Sequence, residues 1–229
     1  MDAVLLFSGQ GAQKVGMGKD LYDQYPVAKA LIEQADKALG ESLSAVMFEG
    51  PGEELTRTCN CQPALYVHGL ACLAVLKELV PSLNPVAAAG LSLGEFTAHA
   101  AAGTYSFEEG LRLVQKRGAF MEEACNATKG TMAAMIGGTD ENVIKLAQEC
   151  DVDVANFNCP GQTVVSGTEE GVAKAVAGAK AAGCKIAKKL NVAGAYHSRL
   201  MHSAMVKLAE ELKNISFGTP VSYTHLRAH

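Results

Sequence analysis

The sequence contains no run of like charges and no strongly basic or acidic segment. Its 229 residues include 20 lysines and arginines against 24 aspartates and glutamates, for a net charge of -4. Binding to nucleic acid or to an anionic membrane requires a concentrated basic patch, and these charges are spread along the chain. The composition therefore predicts that neither nucleic acid nor a membrane is a partner.

Long apolar runs are also missing. No stretch approaches 18 consecutive apolar residues, and the opening MDAVLLFSGQ lacks the basic region with which a signal peptide begins. We therefore expect a soluble intracellular protein, located in the cytoplasm if it is bacterial and in the plastid stroma or mitochondrial matrix if it is eukaryotic.

The cysteines lack the spacing of a metal site or a disulfide scaffold. There are seven, none in a C-x-x-C pair, and only Cys59 and Cys61 lie close together. Structural zinc sites use closely spaced cysteine pairs, and disulfide scaffolds use an even number of cysteines. The pattern predicts reduced thiols and no metal.

The sequence has what a globular core requires. Hydrophobic residues make up 48% of it and charged residues 19%, which suits one or two domains. Residues 4–7 are typical of a strand that leads into the glycine-rich loop SGQGAQ. Residues 63–79 are apolar on almost every side, as expected of a helix buried inside a larger body.

Residues 90–94 read GLSLG, the Gly-x-Ser-x-Gly pattern of a nucleophile elbow. Such an elbow is a strained turn from strand to helix that exposes a serine hydroxyl above a sheet. The pattern occurs by chance roughly one time in ten in a chain rich in glycine and serine, so its context matters. Here VAAAG precedes the serine and the helix-forming LGEFTAHAAA follows it. A strand, a turn at Ser92 and a helix are predicted.

The middle of the chain has a different order of elements. The pattern is strand, helix, two strands around the turn CPG, helix and strand, over TMAAMIGG, DENVIKLAQEC, VDVANFN, QTVVSG, EEGVAKAVAGAKAAG and KIAKKLNV. This β-α-β-β-α-β order is that of a ferredoxin-like unit. We predict an α/β protein in which a ferredoxin-like subdomain, residues 128–194, is inserted into a body made of residues 1–127 and 195–220, with a tail at 221–229.

Arg117 lies on the apolar face of a predicted helix. Ser106 and Glu109 form a capping box that starts this helix, and Leu113 and Met121 lie four residues before and after the arginine. A guanidinium that points toward a core must have a partner, because an unpaired buried charge is too costly. The partner is either a structural carboxylate, which is the commoner arrangement, or a bound anion.

A serine nucleophile needs a base, and His197 is the best candidate among six histidines. It extends by one turn the predicted buried stripe of a helix, formed by Met201, Met205, Leu208 and Leu212. The alternative role for His197 is that of a hydrogen-bonded core histidine. The remaining histidines stand in a terminal tail, among helix residues with no other polar group, or off the stripe: His68, His99, His202, His225 and His229.

Six motifs in order carry a resemblance to a known family. They are SGQGAQKVGMG, TCNCQPALYV, GLSLGEFTAHAAAG, LVQKRGAFM, NFNCPGQTVVSG and GAYHSRLM. With them the chain resembles, over about residues 1–220, the malonyl-CoA:acyl carrier protein transacylases and the acyltransferase domains of fatty acid and polyketide synthases. The fold that this resemblance implies is a hydrolase-like parallel-sheet body that carries a ferredoxin-like subdomain.

The resemblance implies a role for each candidate residue. Ser92 would attack the malonyl thioester, and His197 would accept its proton and return it to the leaving thiol. Backbone N-H groups of Gln10 and Leu93 would form the oxyanion hole. Arg117 would hold the malonyl carboxylate. The acyl group would pass from malonyl-CoA to the phosphopantetheine thiol of acyl carrier protein, for fatty acid synthesis, with no cofactor and no metal.

The sequence departs from the family pattern in four places. Leu91 stands where many members have His, Glu122 where Gln is usual, and Tyr196 where Phe is usual. After ISFGTPV the family continues, whereas this sequence ends in SYTHLRAH. The interpretation is a member that is shortened at its C-terminus, whose missing segment normally orients the histidine.

Parts of the sequence pattern also occur in three other kinds of protein or site. A serine esterase or thioesterase shares the elbow, but such hydrolases place an acid between serine and histidine, where this chain has a ferredoxin-like unit. A non-catalytic fragment that only binds carrier protein would account for the missing end. The glycine-rich loop does not fit a dinucleotide phosphate, because Lys14 occupies the third glycine position of that fingerprint.

Overall fold

A computed structural model describes residues 1–219, and the predicted tail at 221–229 lies outside the described residues. The chain forms two compact units. The first contains Met1–Ala119 and the described residues from Glu210 onward, and the second contains Phe120–Ala209. The domain boundaries predicted from the sequence, 127/128 and 194/195, were drawn from the order of strands and helices and not from compactness. They stay a prediction.

The elements of the first unit alternate little between strand and helix, since five helices separate its two strands. In chain order they are β1 Asp2–Phe7, α1 Lys19–Gln24, α2 Pro26–Leu39, α3 Leu43–Glu49, α4 Gly52–Thr56, α5 Thr58–Leu79, β2 Asn84–Gly90, α6 Leu93–Ala101 and α7 Phe107–Ala127, whose last residues belong to the second unit.

Strands β1 and β2 pair in parallel. Leu6 lies opposite Ala89 and Phe7 opposite Gly90, so both strands end at the same edge of the sheet. In open α/β sheets the carboxyl edge of parallel strands is where ligands bind, because the loops that leave it converge. The glycine-rich loop after β1 and the GLSLG turn after β2 both start at this edge.

Helix α5 forms the core of the first unit, as predicted for residues 63–79. Tyr66 and Val67 on it are fully buried, and they belong to one apolar cluster with Met47, Leu93 and Leu111. Within residues 1–219, α5 is the one helix long and apolar enough to span a membrane, with a mean hydropathy of 1.3 over its most apolar window. Because 61% of that window is buried inside the protein, its apolarity is explained by core packing.

The second unit is built around a four-stranded antiparallel sheet. Its elements are β3 Gly130–Ile136, α8 Asp140–Glu149, β4 Asp153–Cys159, β5 Gln162–Thr168, α9 Glu169–Gly178, β6 Ile186–Lys189, a single 3-10 turn at Arg199–Met201, and α10 His202–Leu212, which ends in the first unit. The strand order is β4-β5-β3-β6, and β4 and β5 form the hairpin predicted around CPG. The predicted α/β class is confirmed.

Apolar side chains cover both faces of this sheet. Val143 and Val172, from α8 and α9, pack with Met135 and Val165 on one face. On the other face Met132 packs in a second cluster that contains Met121, Val164, Tyr196 and Met201. Tyr196 and Met201, which lie close to His197 in the sequence, thus belong to the second cluster.

The predicted buried stripe of α10 is wrong in part. Met201 is buried, but Met205 is 57% exposed, and Ala204 is buried in its place. The helix begins only at His202, so His197 precedes it and does not extend its apolar face. Periodicity located the helix but not its contact face, because Met201 and Ala204 pack together in the cluster with Met132 and Val164.

The capping box of α7 is present as predicted and gives a stability test. The Ser106 hydroxyl accepts a hydrogen bond from Glu109 N at 3.2 Å, and the Glu109 carboxylate accepts one from Ser106 N at 3.0 Å. Ser106→Ala should lower the free energy of unfolding by about 1 kcal/mol, measured by urea denaturation. Ser42→Ala is the matched control, because Ser42 precedes α3 without a side-chain cap bond. Equal losses from both variants would contradict a stabilising cap.

Candidate active site

Ser92 occupies a strained turn between β2 and α6. Its backbone has φ 53° and ψ -102°, in the left-handed half of conformational space that side chains other than glycine rarely enter. The strand ends at Gly90 and the helix begins at Leu93. This is the strand, turn and helix that the GLSLG pattern predicts. Backbone strain of this kind is characteristic of functional sites, where the surrounding structure must hold it.

Two glycines make the turn possible by close backbone packing. A β-carbon on Gly90 would overlap the carbonyl group of Gly94, and one on Gly94 would overlap the carbonyl oxygen of Phe7. Only hydrogen fits at either position. The first and last residues of the motif are therefore required by the packing of the turn on itself and on β1.

The glycine-rich loop lies directly against this turn. Leu91 N donates to Phe7 O at 3.2 Å, and a β-carbon on Gly9 would overlap the Leu91 carbonyl oxygen. Gln10 follows Gly9 and is half-buried, so its backbone is adjacent to the elbow. Leu93 is the first residue of α6, and a helix leaves the N-H groups of its first turn without intrahelical acceptors. Both predicted oxyanion-hole residues thus belong to segments that border Ser92.

Arg117 points at the serine. Its side chain is 8% exposed, and its Nη2 donates a hydrogen bond to Ser92 Oγ at 3.1 Å. Its Nη1 donates to Gln62 Oε1 at 2.7 Å. The guanidinium carbon also lies 5.1 Å from the centre of the Phe96 ring, in cation-π contact. Both hydrogen-bond acceptors among the described residues are neutral, so the contacts of Arg117 do not include the carboxylate pair that is the commoner arrangement.

Burial lowers the pKa of Arg117 but leaves the side chain positively charged at neutral pH. Loss of hydration lowers the pKa of its guanidinium to about 10, and the nearby Glu95 carboxylate acts in the opposite direction. At neutral pH the group therefore stays protonated. A cation with neutral partners in a dry site binds a carboxylate strongly, because the fork of donors matches the two carboxylate oxygens.

His197 belongs to the second unit, whereas the other four candidate residues belong to the first. It is half-buried and has a left-handed backbone conformation, with φ 56°. It stands in a turn closed by Ser198, whose hydroxyl donates to Ala195 O at 2.6 Å and accepts from Leu200 N at 3.2 Å. Backbone strain is characteristic of functional sites, so the conformation of His197 agrees with its candidate catalytic role.

Two side chains of this site, Gln62 and Phe96, were not predicted from the sequence. Gln62 is 1% exposed on α5, and its burial fixes Arg117 through the 2.7 Å hydrogen bond. Its signal in the sequence was a polar side chain in an otherwise apolar helix, which requires a buried partner. Phe96 lies one helical turn after Ser92 on α6, and nothing in the sequence separates it from an ordinary core residue.

Residues that bind metals do not converge here. Among residues 1–219, no three side chains of His, Cys, Asp or Glu are placed to hold a metal ion together. The absence of a metal and of a cofactor stays a prediction.

The thiol nearest the glycine-rich loop gives a chemical test of this packing. Burial raises the pKa of the Cys61 thiol to about 12, opposed by a hydrogen bond with the Gly11 backbone. At pH 8 on the order of one Cys61 side chain in ten thousand would be a thiolate. Iodoacetamide should therefore label exposed Cys159 well before Cys61, as measured by peptide mass spectrometry over time. Equal labelling rates in the folded protein would mean that the loop does not cover Cys61.

Comparison with known proteins places the chain in a family. The acyl transferase domain matches residues 4–228. A relative from Bacillus subtilis, a malonyl CoA-acyl carrier protein transacylase, is 47% identical over 212 residues, which are 90% of this chain and 66% of the relative. This chain thus spans slightly less than two thirds of that relative's length.

Solved structures agree with the sequence comparison. The malonyl CoA-acyl carrier protein transacylase of Coxiella burnetii matches with a TM-score of 0.92 at 36% identity, over 97% of this chain and 72% of that one. A malonyl-transacylase in complex with a type II polyketide synthase acyl-carrier protein matches with a TM-score of 0.90 at 38% identity, over 96% and 72%. The strained serine elbow and the buried arginine beside it agree with these matches. The chain therefore belongs to the acyltransferase family of the malonyl CoA-acyl carrier protein transacylases.

Proposed function

We propose that this protein transfers a malonyl group from malonyl-CoA to the phosphopantetheine thiol of acyl carrier protein, through an acyl-enzyme on Ser92, in fatty acid synthesis. The observation that carries the proposal is the hydrogen bond of 3.1 Å from the buried Arg117 guanidinium to Ser92 Oγ. It puts a cation within reach of any acyl group attached to that oxygen.

The position of Arg117 suits a charged acyl group. A malonyl group on Ser92 carries a free carboxylate two carbons from the ester carbonyl, and this carboxylate would replace the serine hydroxyl as acceptor of the guanidinium N-H groups. An acetyl group has no such acceptor and would leave a buried cation without an anionic partner. A buried cation beside Ser92 likewise favours transfer of a charged acyl group over hydrolysis of neutral esters by an esterase or thioesterase.

In the first half-reaction Ser92 Oγ attacks the thioester carbonyl of malonyl-CoA. The serine proton passes to His197, the carbon-sulfur bond breaks, and the proton then goes to the departing coenzyme A thiolate. The second half-reaction reverses these steps: the carrier thiol gives its proton to His197 and attacks the ester, and the proton returns to Ser92. No oxidant, metal or cofactor is required.

The oxyanion of each tetrahedral intermediate needs fixed hydrogen-bond donors. We assign this role to the backbone N-H groups of Gln10 and Leu93. The assignment is supported by the packing of Gly9 on the Leu91 carbonyl and by the position of Leu93 at the start of α6. Donors of this kind act through charge that develops only in the transition state, so they accelerate the chemistry without tightening substrate binding.

The finer fold assignment belongs to the same proposal. We infer a hydrolase-like body that carries a ferredoxin-like subdomain. The hydrolase-like body is supported by the parallel β1-β2 pair, which is followed by the elbow and α6. The ferredoxin-like subdomain is supported by the antiparallel order β4-β5-β3-β6, whose strands are connected in part by α8 and α9. An intracellular location is inferred as well, because all seven cysteines are free thiols.

The first test is the acyl-enzyme itself. After mixing with malonyl-CoA, intact-mass spectrometry should detect one malonyl adduct on the protein and none on Ser92→Ala. Ser42→Ala, which removes an exposed hydroxyl from the same unit, is the control and should be acylated like the unmodified protein. An adduct that persists in folded Ser92→Ala would remove Ser92 from its role.

The second test separates acyl recognition from structure. Arg117→Ala should slow malonyl adduct formation by about a hundredfold, because charge-assisted hydrogen bonds are lost, and should spare or raise acetylation from acetyl-CoA. The matched control is Arg112→Ala, an exposed arginine on the same helix that pairs with Glu108. Equal losses with both acyl donors would assign Arg117 a purely structural role.

A further inference from the structure

The segment that presents His197 is fixed at several points within the second unit. Ala195 is fully buried and packs against β3. The contact is so close that a β-carbon on Gly130 would overlap the β-carbon of Ala195. On the other side of the histidine, Arg199 N donates to Asp153 Oδ2 at 2.8 Å, and the Arg199 guanidinium lies 2.9 Å from Asp151. Between these attachments the chain must take the strained conformation of His197.

Cys125 on α7 provides a further attachment, and it touches this segment twice. Its Sγ lies so close to Gly194 that a β-carbon there would overlap the sulfur. Cys125 also packs against the apolar cluster that contains Tyr196, the residue immediately before the histidine. Burial raises the pKa of the Cys125 thiol, and a hydrogen bond with the Tyr196 side chain acts in the opposite direction. The backbone before His197 and the neighbouring side chain are thus both held by one thiol.

We propose that Cys125 and Tyr196 form a positioning pair that holds the His197 turn in its reactive conformation. This inference rests on the proposed function, in which His197 is the general base. Both members are positioning residues in this proposal, and neither takes part in bond making or proton transfer. Their effect reaches the chemistry through the orientation of the imidazole.

The physical basis is the burial of the Tyr196 ring together with its polar end. The ring is 5% exposed and packs in the cluster with Met121, Met132 and Met201. A buried phenol must place its hydroxyl against a hydrogen-bond partner, which selects one rotamer of the side chain. A phenylalanine would fill the same volume but would not be tied to α7. Because Tyr196 is bonded directly to His197, fixing its rotamer limits the freedom of the strained turn.

The rate constant of Ser92 acylation at saturating malonyl-CoA is the quantity to measure, by rapid quench and intact-mass spectrometry. Tyr196→Phe should lower it by between about twofold and tenfold, the range that corresponds to one net hydrogen bond. The malonyl-CoA concentration at half-saturation should stay unchanged, because Arg117 and the pocket around Ser92 are untouched. Cys125→Ala should lower the rate constant at least as much, since it also removes the sulfur packed on Gly194.

Two further variants separate positioning from general stability. Cys125→Ser keeps a group that can hydrogen-bond to Tyr196 and should recover most of the acylation rate. Cys150→Ala is the control, because Cys150 is a half-buried cysteine of the same unit that packs against the other face of the sheet. It should leave the rate constant unchanged. In the double variant Tyr196→Phe with Cys125→Ala, the two losses should not add, because both remove the same hydrogen bond.

The possible failures are distinguishable. If the unmodified protein forms no malonyl adduct on Ser92, the proposed function fails. If it forms the adduct and Tyr196→Phe acylates at the same rate, the positioning pair is overturned. It is equally overturned if both single variants change only the half-saturating concentration, or if Cys125→Ser is as slow as Cys125→Ala while folded to the same extent by thermal denaturation.

Discussion

The candidate site depends on the burial of one positive charge. Arg117 donates hydrogen bonds to the neutral side chains of Ser92 and Gln62 and lies over the Phe96 ring. It remains protonated although burial lowers its pKa, an effect that the nearby Glu95 carboxylate opposes. A cation in such surroundings is tolerable when every donor has an acceptor, and it becomes favourable when an anion arrives. Under the proposed function, the carboxylate of the malonyl group would be the anion that pairs with this guanidinium.

Three helices and one turn are arranged to keep this charge in place. Gln62 projects from α5, Phe96 from α6 and Arg117 from α7, while Ser92 precedes α6. Gln62 is 1% exposed on α5, a helix that is apolar on almost all sides, and it accepts the 2.7 Å hydrogen bond from Arg117. The position of the guanidinium is thereby set by core packing, which is stiffer than a surface loop.

The sequence predicted correctly those features of the fold that depend on a few neighbouring residues. The capping box of α7, the elbow at Ser92 and the CPG hairpin each depend on a few neighbouring residues, and each is present. The inward direction of Arg117 followed from helical spacing.

The role of Gln62 and the exposure of Met205 depend on which distant residues pack against them, and periodicity within one segment contains no such information. The choice of His197 as the base for Ser92 stays a prediction, and its predicted place on the apolar face of a helix is wrong, because that helix begins only at His202.

The packing of Gly90 and Gly94 separates two kinds of change that this site can accept. The elbow backbone closes on itself with no room for one added carbon, so the location of the nucleophile is fixed by main-chain atoms. The proposed acyl recognition, in contrast, depends on the end of the Arg117 side chain, which reaches Ser92 from a different helix and is not part of the turn. A protein engineer, or natural selection, could therefore alter which acyl group is accepted while the reactive oxygen stays where it is.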